Sequence, residues 1–224
     1  MKFLTSSELR KKTPIWARKF AIQTKAMLKL RAPVLLVLDM QNEFLLATGQ
    51  LPVWGGPAII PNVVRLVELF REARLPLIFT RHVCLEPFRH QKQIAIMKSV
   101  PDAGSLLREG SVGVAIHNDV MPQAGEMVIT KYRYSAFYDT ALDTVLKVNE
   151  VKEVIVTGVA TNICCETTAH DAFFRGYDVF FTLDGTGGTD ENAHLASLKN
   201  IVLSYGKAVT VNQICHGVEA RKTP

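Results

Sequence analysis

Val34-Leu35-Leu36-Val37-Leu38 is apolar at five consecutive positions. A strand with one wet face alternates apolar and polar residues. A run with no polar face is covered on both sides, as in the middle of a parallel sheet. Short runs of similar character recur at Leu77-Ile78-Phe79 (introduced by Pro76), Met127-Val128-Ile129-Thr130, Val154-Ile155-Val156-Thr157, Val179-Phe180-Phe181-Thr182-Leu183 and Ala208-Val209-Thr210-Val211. Helical spacing separates several of them. Residues 58–74 carry Ile59, Val63, Leu66, Val67 and Phe70, and further helices are predicted over Thr140–Val148, Cys164–Arg175 (closed by Gly176) and Glu191–Ser204. Strand–helix alternation of this kind predicts an α/β fold, a six-stranded parallel sheet in a three-layer α/β/α sandwich. Residues 85–124 are weakly patterned, and loops with one or two short helices are expected there. No internal repeat or low-complexity linker divides the body.

At 224 residues and 48% hydrophobic, the chain is long enough to bury a sizeable core. No apolar run approaches the ~20 residues of a membrane span. The four cysteines, Cys84, Cys164, Cys165 and Cys215, include an adjacent pair and no C-x-x-C spacing. That is a poor disulfide framework, and it points to reduced thiols in a cytoplasmic setting.

The net charge of +5 is unevenly distributed. Residues 1–31 hold nine basic side chains and one acidic, Glu8, leaving 17 basic and 20 acidic in residues 32–224, a net of −3. The chain therefore divides into a basic N-terminal arm, 1–31, and a slightly acidic body, 32–224. Such a body excludes an obvious nucleic-acid face. Lys and Arg interrupt the arm throughout, so it has no apolar core of a secretory signal. Thr13-Pro14 reads as a helix start, and Trp16, Phe20, Met27 and Leu30 fall on one side of the helix that follows. Three uses stay open for it: packing on the body or on a neighbouring subunit, membrane-surface binding, and organelle targeting.

Ligands of open parallel sheets bind beyond the carboxyl ends of the strands. Asp39 follows the first strand, Arg81 and His82 the second, and Lys131 the third. Gly158-Val159-Ala160-Thr161-Asn162-Ile163-Cys164 follows the fourth. An Asp in such a place is often a turn residue, a Lys solvated and a Cys part of the core. Their convergence on one sheet edge is what singles them out. Cys164 at the start of a helix is also where unpaired N–H groups favour a thiolate.

These residues carry a resemblance. Val37-Leu38-Asp39-Met40-Gln41-Asn42-Glu43-Phe44 resembles the D-x-Q-x-x-F opening of the isochorismatase-like cysteine hydrolases. Lys131-Tyr132-Arg133-Tyr134-Ser135-Ala136-Phe137 resembles their K-x-x-x-S-A/G-F segment. The string from Gly158 to Cys164, with Thr168-Ala169 and Asp171-Ala172, resembles their G-x-x-T-x-x-C-x-x-x-T-A-x-D-A signature. The likeness spans roughly residues 33–211. It implies a Rossmann-like sheet of order 3-2-1-4-5-6 and a triad of Asp39, Lys131 and Cys164. It also implies an oxyanion hole of the Ala160 and Cys164 amides, a cis peptide at Val159–Ala160, and a homo-oligomer. Cys165 has no counterpart in that triad and reads as a buried thiol on the helix.

The chemistry implied is thiolate attack on a small amide, ureido or N-carbamoyl substrate through a thioester. Asp39 takes the thiol proton, and Lys131 and the helix start stabilise the thiolate. No cofactor is needed. The D-x-H metal element of the family's nicotinamidases meets His82 and Cys84 here, so no metal is expected, although His82, Cys84 and His90 are conceivable zinc ligands. The wording around Lys131 is close to that of the ureidoacrylate amidohydrolases. Phe44, Tyr134, Phe137 and His82 are candidate substrate-pocket residues. Two rival readings are a vinyl ether hydrolase of the isochorismatase type and a non-catalytic relative that acts through its basic arm.

Overall fold

The computed structural model describes residues 28–84 and 106–222. β1 (Pro33–Leu38) is buried at every position, and its side chains divide by parity. Val34, Leu36 and Leu38 enter one core; Leu35 and Val37 enter the other. A pleated strand with a side-chain period of two does this once both faces are covered. A four-residue helix, α1 (Asn42–Leu45), follows β1, and α2 (Gly56–Glu72) lies beyond it. Then come β2 (Leu77–His82), β3 (Met127–Lys131), α3 (Leu142–Val148) and β4 (Glu153–Val159). A π-helical turn (Thr161–Cys165) leads into α4 (Glu166–Phe174), and β5 (Asp178–Gly187) follows. The chain continues through α5 (Glu191–Asn200), a second π turn (Ile201–Tyr205), β6 (Lys207–Val209) and α6 (Val211–Glu219).

The six strands form one sheet in the order β3-β2-β1-β4-β5-β6, every pair parallel. Helices α3, α4 and α5 cover the core that holds Leu36 and Val156; α2 and α6 cover the core that holds Val37 and Ile155. The three-layer α/β/α arrangement is thus the one expected.

Several boundaries differ from the sequence reading for physical reasons. β2 runs on to His82 and β4 to Val159, because polar residues at their ends find partners in the neighbouring strands or loops. β6 stops at Val209, and Val211 opens a helix instead of closing a strand. Thr210 makes a capping box: its hydroxyl accepts from the Gln213 amide while Gln213 accepts from the Thr210 amide. The Cys164 helix starts earlier, at Thr161. Within 106–124 there is one short 3₁₀ turn, Asn118–Val120.

The expected boundary at residue 31 falls inside packed structure. Leu30 is buried in the α6 core, and the amides of Arg31 and Ala32 donate to the Glu153 carboxylate. The arm helix expected from Thr13 onward, and His90 with the segment around it, lie outside the described residues. Among the described residues no helix is long and apolar enough to cross a membrane.

Candidate active site

β1 is flanked by β2 and β4, which lead into opposite halves of the sheet, so the chain leaves their carboxyl ends in opposite directions and a crevice opens above them. The approach of β1 to β4 is tight. Gly158 has φ +113°, and a Cβ there would stand 2.1 Å from the Leu38 carbonyl oxygen. Only glycine accepts both conditions. Asp39 comes next in β1's path with φ +49°, in the left-handed region that Asp tolerates better than most residues.

Three expected residues meet in this crevice. Lys131, the last residue of β3, places Nζ 2.7 Å from Asp39 Oδ2, with both side chains fully buried. The same ammonium lies 3.4 Å from Cys164 Sγ and donates to the Arg133 carbonyl at 3.1 Å. Cys164 sits in the π turn after β4, where the Ala160 carbonyl accepts from the amides of Ile163 and Cys165, both at 3.1 Å. The Val159–Ala160 peptide is cis. Cys165 is fully buried in the other core, beside Ala169.

Burial pulls the Lys131 ammonium toward neutrality, but Asp39 and Cys164 outweigh it and hold its pKa above the ordinary lysine value. The thiol behaves otherwise. Burial pushes Cys164 up, Lys131 pulls it down, Asp39 raises it further, and the net direction is strongly upward. The direction for the thiol thus runs against the thiolate that the helix start was expected to favour. Its helix does not begin at the cysteine, and in a closed site desolvation exceeds what one lysine returns.

Sequence reasoning gave no structural role to two residues that support the site. Thr80, inside β2, donates to Asp39 Oδ1 at 2.6 Å and accepts the Asp39 amide at 3.2 Å. Gln41 is fully buried; its amide donates to the His82 and Val114 carbonyls at 2.9 Å each and accepts the His82 amide at 2.7 Å. A Thr in an apolar strand and a Gln two residues past the Asp were the available signals. Glu43, also buried, caps the amides of Gln50 and Leu51 and so shapes the pocket rim. Ser135, Thr168 and Asp171 tie the loop after Lys131 to α4: Ser135 donates to Asp171, and the Ala136 amide donates to Thr168.

A cavity of about 350 Å³ opens beside Cys164. Phe44, His82 and Tyr134 line it, as do Ala160, Cys84, Leu51 and Thr189. Phe137 does not. It is buried under α3 and α4, stacked on Tyr177 with its centroid 6.1 Å away and the Arg175 guanidinium 4.8 Å above it. The loop turns back onto the helices after Ser135, so Phe137 serves the core.

His82 Nδ1 lies 3.4 Å from Lys131 Nζ, and burial first, then Lys131, lowers its pKa to about 3. Asp39, His82 and Cys164 present ligand atoms within 4.8 Å of one another, a donor set suited to a thiophilic cation. Lys131 fills that place: its ammonium is within 2.7–3.4 Å of all three side chains.

The isochorismatase domain model matches residues 33–213, and the chain belongs to the family of isochorismatase-like cysteine hydrolases. It is 35% identical over 182 residues to a nicotinamidase of Arabidopsis thaliana, covering 80% of this chain and 85% of that protein. To a ureidoacrylate amidohydrolase of Yersinia enterocolitica it is 33% identical over 204 residues, 83% of this chain and 88% of the relative. A cysteine hydrolase structure from Pseudomonas syringae superposes with a TM-score of 0.76 at 26% identity, over 86% of this chain and 98% of that one.

Proposed function

We propose that the protein is a cysteine-dependent amidohydrolase that cleaves a C–N bond of a small amide, ureido or N-carbamoyl substrate. The observation that carries this reading is the buried contact of Asp39, Lys131 and Cys164 at the wall of a ligand-sized cavity. Asp39 takes the proton from Sγ as sulfur bonds to the carbonyl carbon, so thiolate need not accumulate in the resting site. Lys131 balances the negative charge as it moves from carboxylate to sulfur. The amides of Ala160 and Cys164 receive the oxyanion; one such donor is typically worth about 10²–10³ in rate. The C–N bond then breaks and Asp39 protonates the leaving amine. Water attacks the thioester, giving its proton to Asp39; the C–S bond breaks, and the proton returns to sulfur.

The names of the nicotinamidase and ureidoacrylate amidohydrolase relatives support amide over vinyl ether cleavage. Four free thiols fit a reducing cytoplasm. The basic arm, read from the sequence as residues 1–31, is proposed to cover an adjacent subunit of a homo-oligomer, its basic side chains meeting the slightly acidic body. Purified protein is to be assayed for ammonia release from nicotinamide, ureido acids and N-carbamoyl amino acids, and for isochorismate cleavage. Turnover of isochorismate alone would reject the amidohydrolase reading.

A further inference from the structure

His82 reaches the site from β2 and is held more firmly than a pocket wall requires. Its backbone is clamped on both sides by the Gln41 amide. Its ring is tilted against Tyr134, centroids 6.1 Å apart, and only 4% of the residue is exposed. An ammonium has donors only, so a hydrogen bond across the 3.4 Å to Nδ1 requires that nitrogen to be unprotonated. With a pKa near 3 the ring takes no second proton at neutral pH. In that tautomer the single ring proton is on Nε2, and the ring forms part of the cavity wall.

We propose that His82 joins the catalytic lysine to substrate selection: Nδ1 accepts from Lys131 and fixes the ammonium between Asp39 and Cys164, while Nε2–H donates to an acceptor on the substrate close to the scissile carbonyl. This rests on the amidohydrolase reading and narrows it. A ring nitrogen of a heteroaromatic amide or the second carbonyl of a ureide supplies such an acceptor; a plain aryl or alkyl amide does not. Phe44, Leu51 and Ile163 give the cavity apolar walls, while Tyr134 and Thr189 are further polar groups in its lining. A buried donor left unpaired by the wrong substrate discriminates against it.

The two nitrogens separate by substitution. His82→Asn places an amide oxygen near Nδ1 and removes the donor at Nε2. His82→Gln reaches toward Nε2 and gives up the Nδ1 position. The first readout is the pH profile of Cys164 alkylation by iodoacetamide, without substrate. It should be retained in His82→Asn and displaced in His82→Gln. The second is calorimetric binding to the Cys164→Ala protein of two matched pairs, nicotinamide with benzamide and biuret with ethylurea. The acceptor-bearing member of at least one pair should bind about five- to tenfold more tightly, the worth of roughly one hydrogen bond. His82→Asn should erase that preference and His82→Gln should keep part of it. No preference in either pair, a preference that survives His82→Asn, or an alkylation profile untouched by both substitutions overturns the proposal. Neither readout needs turnover, so absence of hydrolysis would count against the amidohydrolase reading alone.

Discussion

Two buried carboxylates stand at opposite ends of the sheet, and their surroundings assign them different work. Glu153, at the amino end of β4, is 2% exposed and accepts the amides of Arg31 and Ala32 and the Arg31 guanidinium. Both its oxygens are committed to donors that never give up their protons. Asp39, at the carboxyl end of β1, has Oδ1 tied to Thr80, while Oδ2 faces the Lys131 ammonium and the Cys164 thiol. One carboxylate is saturated by structural donors; the other has an oxygen turned to the ammonium and the thiol, as the proposed proton transfer requires. Burial is the same in both, so burial alone does not mark a catalytic acid. The identity of the donors does.

The largest effect that would break this contrast comes from isosteric amides. Asp39→Asn should lower kcat/KM by about 10²–10⁴-fold, the usual worth of a positioned acid–base. Glu153→Gln should leave kcat/KM unchanged and cost about 1–3 kcal/mol in urea unfolding, because an amide NH₂ would face backbone donors. Equal losses of activity in both would dissolve the distinction.

Stability against pH sharpens it next. His82 and His194 have pKa values lowered by burial from 6.5 to about 3 and about 4. Below pH 6.5 the unfolded chain binds protons that the native protein refuses, so unfolding free energy falls as pH falls. The loss develops from 6.5 downward and is complete only below the native values. Urea midpoints should drop over this window, and His194→Asn should flatten the slope. An unchanged slope in that variant would assign the effect elsewhere.

A smaller effect is expected from chelation. Lys131 occupies the cation position among Asp39, His82 and Cys164, so exhaustive EDTA treatment should leave turnover intact. Loss that zinc restores would place a metal at the catalytic end after all. The least perturbing change to the site is removal of residues 1–27, which spares Leu30 and the contacts to Glu153. Light scattering at low and high salt should report a smaller or looser oligomer with activity kept. An unchanged mass would favour the targeting or membrane-surface reading of the arm.

The sheet was legible because a doubly covered strand announces itself as an unbroken apolar run, as in Val34 to Leu38. The strand-end rule, which needs only the order of elements, brought Asp39, Lys131 and Cys164 to one edge together with Arg81 and His82, and the family resemblance narrowed these to three. What failed depended on partners distant in sequence. Thr80 matters only because Asp39 lies across from it, and Gln41 only because His82 does. Phe137 looked like a pocket residue until the loop's return onto α4 placed it against Tyr177. The upward direction of the Cys164 pKa follows from desolvation, which no local pattern records. Helix α6 could have been found from Thr210 and Gln213, a capping-box pair three residues apart.

Acid quenching during turnover, followed by proteolysis and peptide mass mapping, tests whether the thiol of Cys164 carries the substrate. The expected product is an acyl adduct on Cys164 and none on Cys165, which is buried in the opposite core. That adduct should vanish in Cys164→Ala and persist, with most activity, in Cys165→Ala. Full turnover by Cys164→Ala, or an acyl group on any other residue, would contradict the account.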